Sequence, residues 1–137
     1  MSSDIERYLA QFTQKAIASG LDMAKLGLNW APMRPIVKGS HISLSVRNDK
    51  IQVNLNNDDD ADRRKFRVLY VDRESLAGTI GLELTWEQKV GRKKTAIRAT
   101  FEQGYDNQDW DAQHQWAIQT MQSFVREFGS RLTKIGS

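Results

Sequence analysis

The 137-residue sequence contains no cysteine and only two histidines. Without cysteine the chain can form neither disulfides nor thiolate metal sites, which fits a cytoplasmic protein. The histidines, His41 and His114, lie far apart and do not have the spacing of a zinc site. We therefore expect no metal and no other cofactor.

Long apolar runs are also missing. No stretch approaches the roughly 18 apolar residues of a membrane-spanning helix. The amino terminus, MSSDIERYLAQF, has acids where a secretion signal has lysines and an apolar run. The hydrophobic share of 39% and the charged share of 27% are typical of a globular chain. We expect one cytoplasmic domain over residues 1–137, without membrane contact.

The hydrophobic pattern predicts an N-terminal helix followed by two strand–strand–helix (ββα) units. A capping box formed by Ser3 and Glu6 opens the first helix. The segment 21–40 contains both prolines and is predicted to be an ordered loop around Trp30 with a short edge strand at 33–37. The other predicted elements are helices at 4–19, 60–77 and 108–133, and hairpin strands around Ile42–Val46, Ile51–Leu55, Leu82–Glu87 and Ile97–Phe101. The predicted fold class is α+β, an antiparallel sheet with the helices packed on one face.

Positive charge is concentrated in one part of the chain. The net charge is +3, but Arg63–Arg98 holds ten basic residues against four acidic ones, directly after the acidic run Asp58–Asp60. Such a segment can form a face that attracts polyanions, and a solvated surface of mixed charge is the alternative. The residues predicted to bind nucleic acid or an acidic partner are Lys89, Arg92, Lys93 and Lys94 in the second hairpin tip, supported by Arg63 and Arg67.

One face of the predicted sheet is polar. Alternation places His41, Ser43, Ser45, Gln52 and Asn54 on the face opposite the helices, and it turns the strand aromatics Trp86 and Phe101 towards the core. Sheets that bind RNA usually stack bases on exposed aromatic side chains. Binding by this face is therefore expected to be directed at the nucleic-acid backbone, with little sequence preference.

A catalytic alternative depends on Glu87-Gln88-Lys89, which matches half of a PD-(D/E)XK nuclease site. That site needs another acid to hold Mg²⁺, and the candidates are Asp72 and Glu102. About one acid-x-Lys match is expected by chance in such a chain, so the motif is weak. There is no P-loop and no G-x-S-x-G motif. We expect no enzyme, and a Mg²⁺-dependent nuclease using Glu87 and Lys89 is an alternative.

The last predicted helix carries two of the four tryptophans. A helical stripe there is expected to dock into the core, with His114 at its edge, and it comprises Trp110, Ala117, Met121, Phe124, Phe128 and Leu132. Trp116 points away from this stripe. It is expected to pack beneath the loop 21–40 against Trp30, or to lie in an interface.

Several segments together resemble a known family. These are "PIVKGSHISLSV", "IQVNL", "GLELTWEQ", "RKKTAIRATF" and "DWDAQHQWAIQTMQSFVREFGSRL". They are similar to the domain of unknown function found at the C-terminus of bacterial and archaeal proteins whose N-terminal half looks like a PD-(D/E)XK nuclease. The resemblance covers nearly the whole chain and carries over no catalytic residue, because the nuclease motif belongs to the other domain.

The resemblance implies a function that involves nucleic acid, in phage defence or counter-defence. The first hypothesis is therefore a non-catalytic accessory module that binds nucleic acid or a nucleic-acid-processing protein. The second is a module for protein–protein interaction or homodimerisation, and the third is the Mg²⁺-dependent enzyme.

Overall fold

A computed structural model describes residues 3–136 as five antiparallel strands and four helices. The helices are α1 Asp4–Ala18, α2 Arg64–Val71, α3 Arg73–Ile80 and α4 Trp110–Gly136. The strands are β1 Trp30–Pro32, β2 Ser40–Val46, β3 Ile51–Asn57, β4 Thr85–Glu87 and β5 Thr95–Phe101, in the sheet order β1-β2-β3-β5-β4. The predicted α+β class is confirmed.

The helices cover the apolar face of the sheet. Alternate residues of the three long strands are fully buried there, among them Ile42, Leu44, Val53, Leu55 and Ile97. The helix α4 packs on β2, β3 and β5, and each of the other helices contacts α4. The predicted stripe on α4 lies in this core, from Ala117 to Leu132. The opposite face of the sheet has no helix packed on it in the described part of the chain.

The first helix begins as predicted. The Ser3 side chain accepts a hydrogen bond from the Glu6 backbone N–H at 3.2 Å, so the N-terminal cap satisfies a free donor of the first turn. None of the helices in the described residues combines the length and the apolar character that crossing a membrane requires.

The helix predicted at 60–77 is instead two shorter helices that start later. The Asp60 carboxylate accepts hydrogen bonds from the backbone N–H groups of Lys65 and Phe66, at 2.9 and 3.0 Å, and from the Thr95 hydroxyl at 2.8 Å. These bonds hold the chain outside the helix until Arg64. The two helices meet at Asp72, whose N–H bonds to Leu69 O at 3.0 Å and tightens the last turn of α2.

The edge strand predicted at 33–37 is also displaced. The strand β1 occupies residues 30–32, and its register places Trp30 opposite Ser45 and Pro32 opposite Ser43 of β2. An edge position tolerates Pro32, which has no N–H to donate. The shift matters for the site, because it places Trp30 on the open face of the sheet.

Candidate functional site

The open face of the sheet forms a polar groove of about 540 Å³, called the sheet groove below. It is lined by Asn29, Trp30, His41, Ser43, Ser45, Asn54, Asn56, Asp58, Lys89, Lys94 and Arg98. Four strands and the tip of the second hairpin contribute to it. Its volume lies in the range typical of ligand pockets, ~300–1,000 Å³.

The floor of the sheet groove is a network between β2 and β3. The Asn54 side-chain amide donates to Ser45 Oγ at 2.9 Å, and the Asn56 amide donates to Ser43 Oγ at 2.9 Å. Asn54 Oδ1 is buried and has no hydrogen-bond partner among the described residues. The floor is therefore held in place by its own hydrogen bonds and retains an unused acceptor.

An aromatic wall closes one side of the sheet groove. The Trp30 and His41 rings contact each other edge-on, with centroids 5.9 Å apart. His41 Nδ1 lies 3.1 Å from Asp58 Oδ2, and its Nε2 lies 3.5 Å from Asn56 Nδ2. Contacts at both ring nitrogens fix the orientation of the imidazole. Trp30 keeps 38% of its surface exposed, so part of the indole can contact a ligand.

A cationic wall closes the other side. Arg98 of β5 forms an ion pair with Glu87 of β4 at 2.8 Å, and its Nε is buried without a partner among the described residues. The ammonium groups of Lys89 and Lys94 have no hydrogen-bond or ion-pair partner within residues 3–136. Their charge is therefore available to an anion in the groove.

Only two of the six cations predicted from the sequence line the sheet groove, namely Lys89 and Lys94. Arg92 and Lys93 are exposed in the hairpin tip. Arg67 lines a different depression, between α2 and β4. The fold therefore divides the predicted cations between separate surfaces, and their role in binding stays a prediction.

Arg63 makes structural hydrogen bonds, and its predicted ligand contact stays a prediction. Its guanidinium donates to the backbone oxygens of Asp60 at 2.9 Å, Lys89 at 3.2 Å and Arg92 at 2.6 Å. These bonds tie the start of α2 to the hairpin tip and hold the segment that carries Lys89 and Lys94.

Sequence reasoning missed the aromatic wall and Arg98. The alternation of β2 and β3 was sufficient to predict the polar floor, and Trp86 and Phe101 do lie on the helix side, where they contact Phe66 and Trp116. Trp30 was missed because its segment was predicted to be a loop. Placing an edge strand at 30–32 would have turned Trp30 to the open face.

The proposed Mg²⁺ site is not assembled. Glu87 is paired with Arg98, whereas Asp72 forms a 3.1 Å ion pair with Arg131 of α4, on the helix side of the sheet. Glu102 follows the far end of β5, and it is six residues, or about 20 Å, beyond Ala96, the β5 partner of Glu87. Within residues 3–136 no three His, Asp or Glu side chains form a group able to hold a metal ion. The hypothesis that Glu87 shares a metal with Asp72 or Glu102 is therefore wrong.

The two remaining residues of interest on α4 lie on the covered side of the sheet. Trp116 contacts Phe101 with ring centroids 5.2 Å apart, so the predicted packing against Trp30 is wrong; the two tryptophans lie on opposite faces of the sheet. A role of Trp116 in an interface stays a prediction. His114 is fully buried where α4 meets Tyr8 and Phe12 of α1, and burial is the main reason that its pKa falls to about 4.

The fold and the groove define a small α+β domain with one covered and one open sheet face. The family described as a domain of unknown function, DUF4268, matches residues 8–132. The chain belongs to this family. The resemblance to a domain of unknown function is thereby confirmed, and the link to nuclease-like domains stays a prediction.

Two solved structures are similar at low identity. YbjN from E. coli, described as a proposed transcription regulator, is 10% identical, with a TM-score of 0.46 over 87% of this chain and 93% of that one. An uncharacterized protein from Methanothermobacter thermautotrophicus is also 10% identical, with a TM-score of 0.42 over 92% of this chain and 98% of that one. No curated protein matches the chain.

Proposed function

We propose that the protein is a non-catalytic module that binds single-stranded nucleic acid in the sheet groove. The observation that carries the proposal is a pair of ammonium groups, Lys89 and Lys94, which have no partner among the described residues and face a groove whose other wall is the exposed Trp30. Phosphates need cations, and unpaired bases need a flat apolar surface. Both are present on one open face.

Each wall has a distinct role in this proposal. Lys89 and Lys94 neutralise phosphates and supply most of the affinity, which therefore depends on salt. The Trp30 indole stacks on a base, a contact that every base can make. Ser45 and Asn56, the partly exposed side chains of the floor, contact sugar or base edges. A duplex hides its base faces, so single strands are preferred.

A protein that binds single strands in this groove could act together with a nucleic-acid-processing protein. The family resemblance associates such domains with nuclease-like partners in phage defence or counter-defence, and we include this cellular role in the proposal. A module of this kind holds the strand, and its partner performs the chemistry.

The test compares two adjacent lysines. Lys94 lines the sheet groove and Lys93 does not, and both are exposed. A labelled single-stranded oligonucleotide is titrated across a salt series with wild type, Lys94→Glu and Lys93→Glu. We expect Lys94→Glu to weaken binding about tenfold or more and to lower the log–log salt slope by about 0.7. Lys93→Glu should have a clearly smaller effect.

Two results would contradict the proposal. One is the absence of binding by the wild type at low salt. The other is equal weakening by both variants, which would show that only the net charge of the tip matters. Thermal unfolding of both variants controls for folding.

A further inference from the structure

A second surface lies outside the sheet groove, where α2 meets β4. Phe66, Arg67, Tyr70 and Val71 of α2 and Trp86 and Gln88 of the β4 segment line a depression of about 490 Å³, called the edge patch below. It opens on the helix side of the sheet, whereas the sheet groove opens on the other side.

The edge patch is mainly aromatic and aliphatic, and part of it is exposed. The Trp86 ring is held edge-on against Phe66 at 5.8 Å and against Tyr70 at 5.3 Å. Val71 is 79% exposed and Tyr70 is 40% exposed. Exposed apolar side chains that are contiguous and fixed in position mark interaction surfaces.

The strand beside the edge patch is unpaired along its outer edge. The sheet order ends at β4, and within the described residues β4 pairs only with β5. An edge strand presents a row of free N–H and C=O groups to any strand that approaches in register. An apolar patch next to such an edge favours a partner that adds a strand and covers the patch.

We infer that the occupant is a second copy of this chain, joined by antiparallel pairing of β4 with its equivalent. A two-fold axis beside Trp86 brings the two Trp86 side chains together on the helix side. Three residues away on either side, it brings Glu83 of one copy near Lys89 of the other. Glu83 and Lys89 lie just beyond the two ends of the three-residue strand; Glu83 is exposed and the Lys89 ammonium has no partner within residues 3–136, so the segment around β4 is complementary in charge to itself.

The dimer has one consequence for the sheet. Its two five-stranded sheets join into one, and because the axis is perpendicular to the sheet, both sheet grooves open on the same side. Lys89, next to β4, then lies near the centre of this common surface. The dimer forms whether or not the grooves bind nucleic acid; in it Glu83 of the second copy approaches Lys89, so Lys94 is the cation of each groove that stays without an ion-pair partner among the described residues.

Light scattering and sedimentation test the dimer. The expected mass is twice the 15.7 kDa of the chain, with dissociation on dilution. Val71→Glu, in the edge patch, should raise the dissociation constant about tenfold or more, because it places a charge in the apolar contact. Val68→Glu is the matched control, since Val68 is also exposed on α2 but borders a different depression. A monomer at every concentration, or equal effects of both variants, would overturn the inference.

Charge exchange tests the pairing of β4. Glu83→Lys and Lys89→Glu should each weaken the dimer by placing like charges together, and the double variant Glu83→Lys/Lys89→Glu should restore it. Single variants that leave the dissociation constant unchanged, or a double variant that is weaker than both, would overturn the two-fold arrangement. Far-UV circular dichroism checks that each variant is folded.

Discussion

Lys15 Nζ of α1 lies 3.0 Å from Nδ1 of His114 in α4 and 2.6 Å from Asp111 Oδ1. An ammonium group can only donate, so Nδ1 of His114 is the acceptor and its ring proton lies on Nε2. Nε2 is buried and has no partner among the described residues. The neutral imidazole is thus built into the contact between two helices.

The first prediction concerns stability in acid. Burial, followed by the charge of Lys15, lowers the pKa of His114 from 6.5 to about 4. Because the unfolded chain then binds more protons, the free energy of unfolding should fall as the pH decreases from about 6.5 to about 4. The loss from this group is on the order of 3 kcal/mol.

Urea unfolding between pH 7 and pH 4 measures this loss. His114→Gln, which keeps an acceptor for Lys15, should flatten the pH dependence over that range. His41→Gln removes the other histidine and should leave the loss in place. If His114→Gln unfolds with the same pH dependence as wild type, the assignment to His114 is wrong.

The second prediction uses a glycine to move Trp30. A Cβ atom at Gly27 would lie 1.8 Å from Trp30 Nε1, so Gly27→Ala must displace the indole. We expect Gly27→Ala to weaken oligonucleotide binding about as much as Trp30→Ala does, roughly 1–3 kcal/mol for one lost stacking contact. Fluorescence anisotropy of the labelled strand gives both values. Trp30→Phe should retain most of the affinity, and a Trp30→Ala variant that binds normally would count against stacking.

The third prediction concerns Arg63. The Arg63 guanidinium donates to three backbone oxygens at once, and the single ammonium group of a lysine cannot reproduce this arrangement. Arg63→Lys should therefore lower the free energy of unfolding by roughly 1–3 kcal/mol and make the hairpin tip more mobile. Hydrogen exchange should rise at Arg92 N–H, which bonds to Lys89 O at 3.0 Å. Arg67→Lys, on the exposed face of α2, is the control and should change neither quantity. An Arg63→Lys variant as stable as wild type would show that these three hydrogen bonds do not stabilise the hairpin tip.

The fourth prediction compares two glycines. Gly104 is buried, and a Cβ there would lie 2.1 Å from Arg47 O, a backbone atom that cannot easily move. Gly104→Ala should therefore cost roughly 1–3 kcal/mol. Gly78 in α3 has no heavy atom within 4 Å of such a Cβ, so Gly78→Ala should stabilise the helix by about 0.5–1 kcal/mol. Thermal unfolding would contradict the packing at Gly104 if both variants shifted Tm in the same direction.

The sequence by itself determined the fold class, the first and last helices and the two hairpins. The alternation of Ile42, Leu44 and Val46 and the helical stripe of α4 are local signals of which side is buried, and the capping box at Ser3 is local as well. For the same reason the sequence predicted the polar floor. Strand and helix periods depend only on neighbours along the chain.

Only the tertiary structure decided which side chains meet in the groove. Trp30 joins it because β1 pairs with β2, and Arg98 because β5 lies beside β3. The guanidinium of Arg63 contacts backbone oxygens of a hairpin 26 or more residues away, a contact that the sequence did not predict. Strand order and long-range hydrogen bonds bring together residues that are distant in the chain, and the local pattern around each residue does not encode its distant partner.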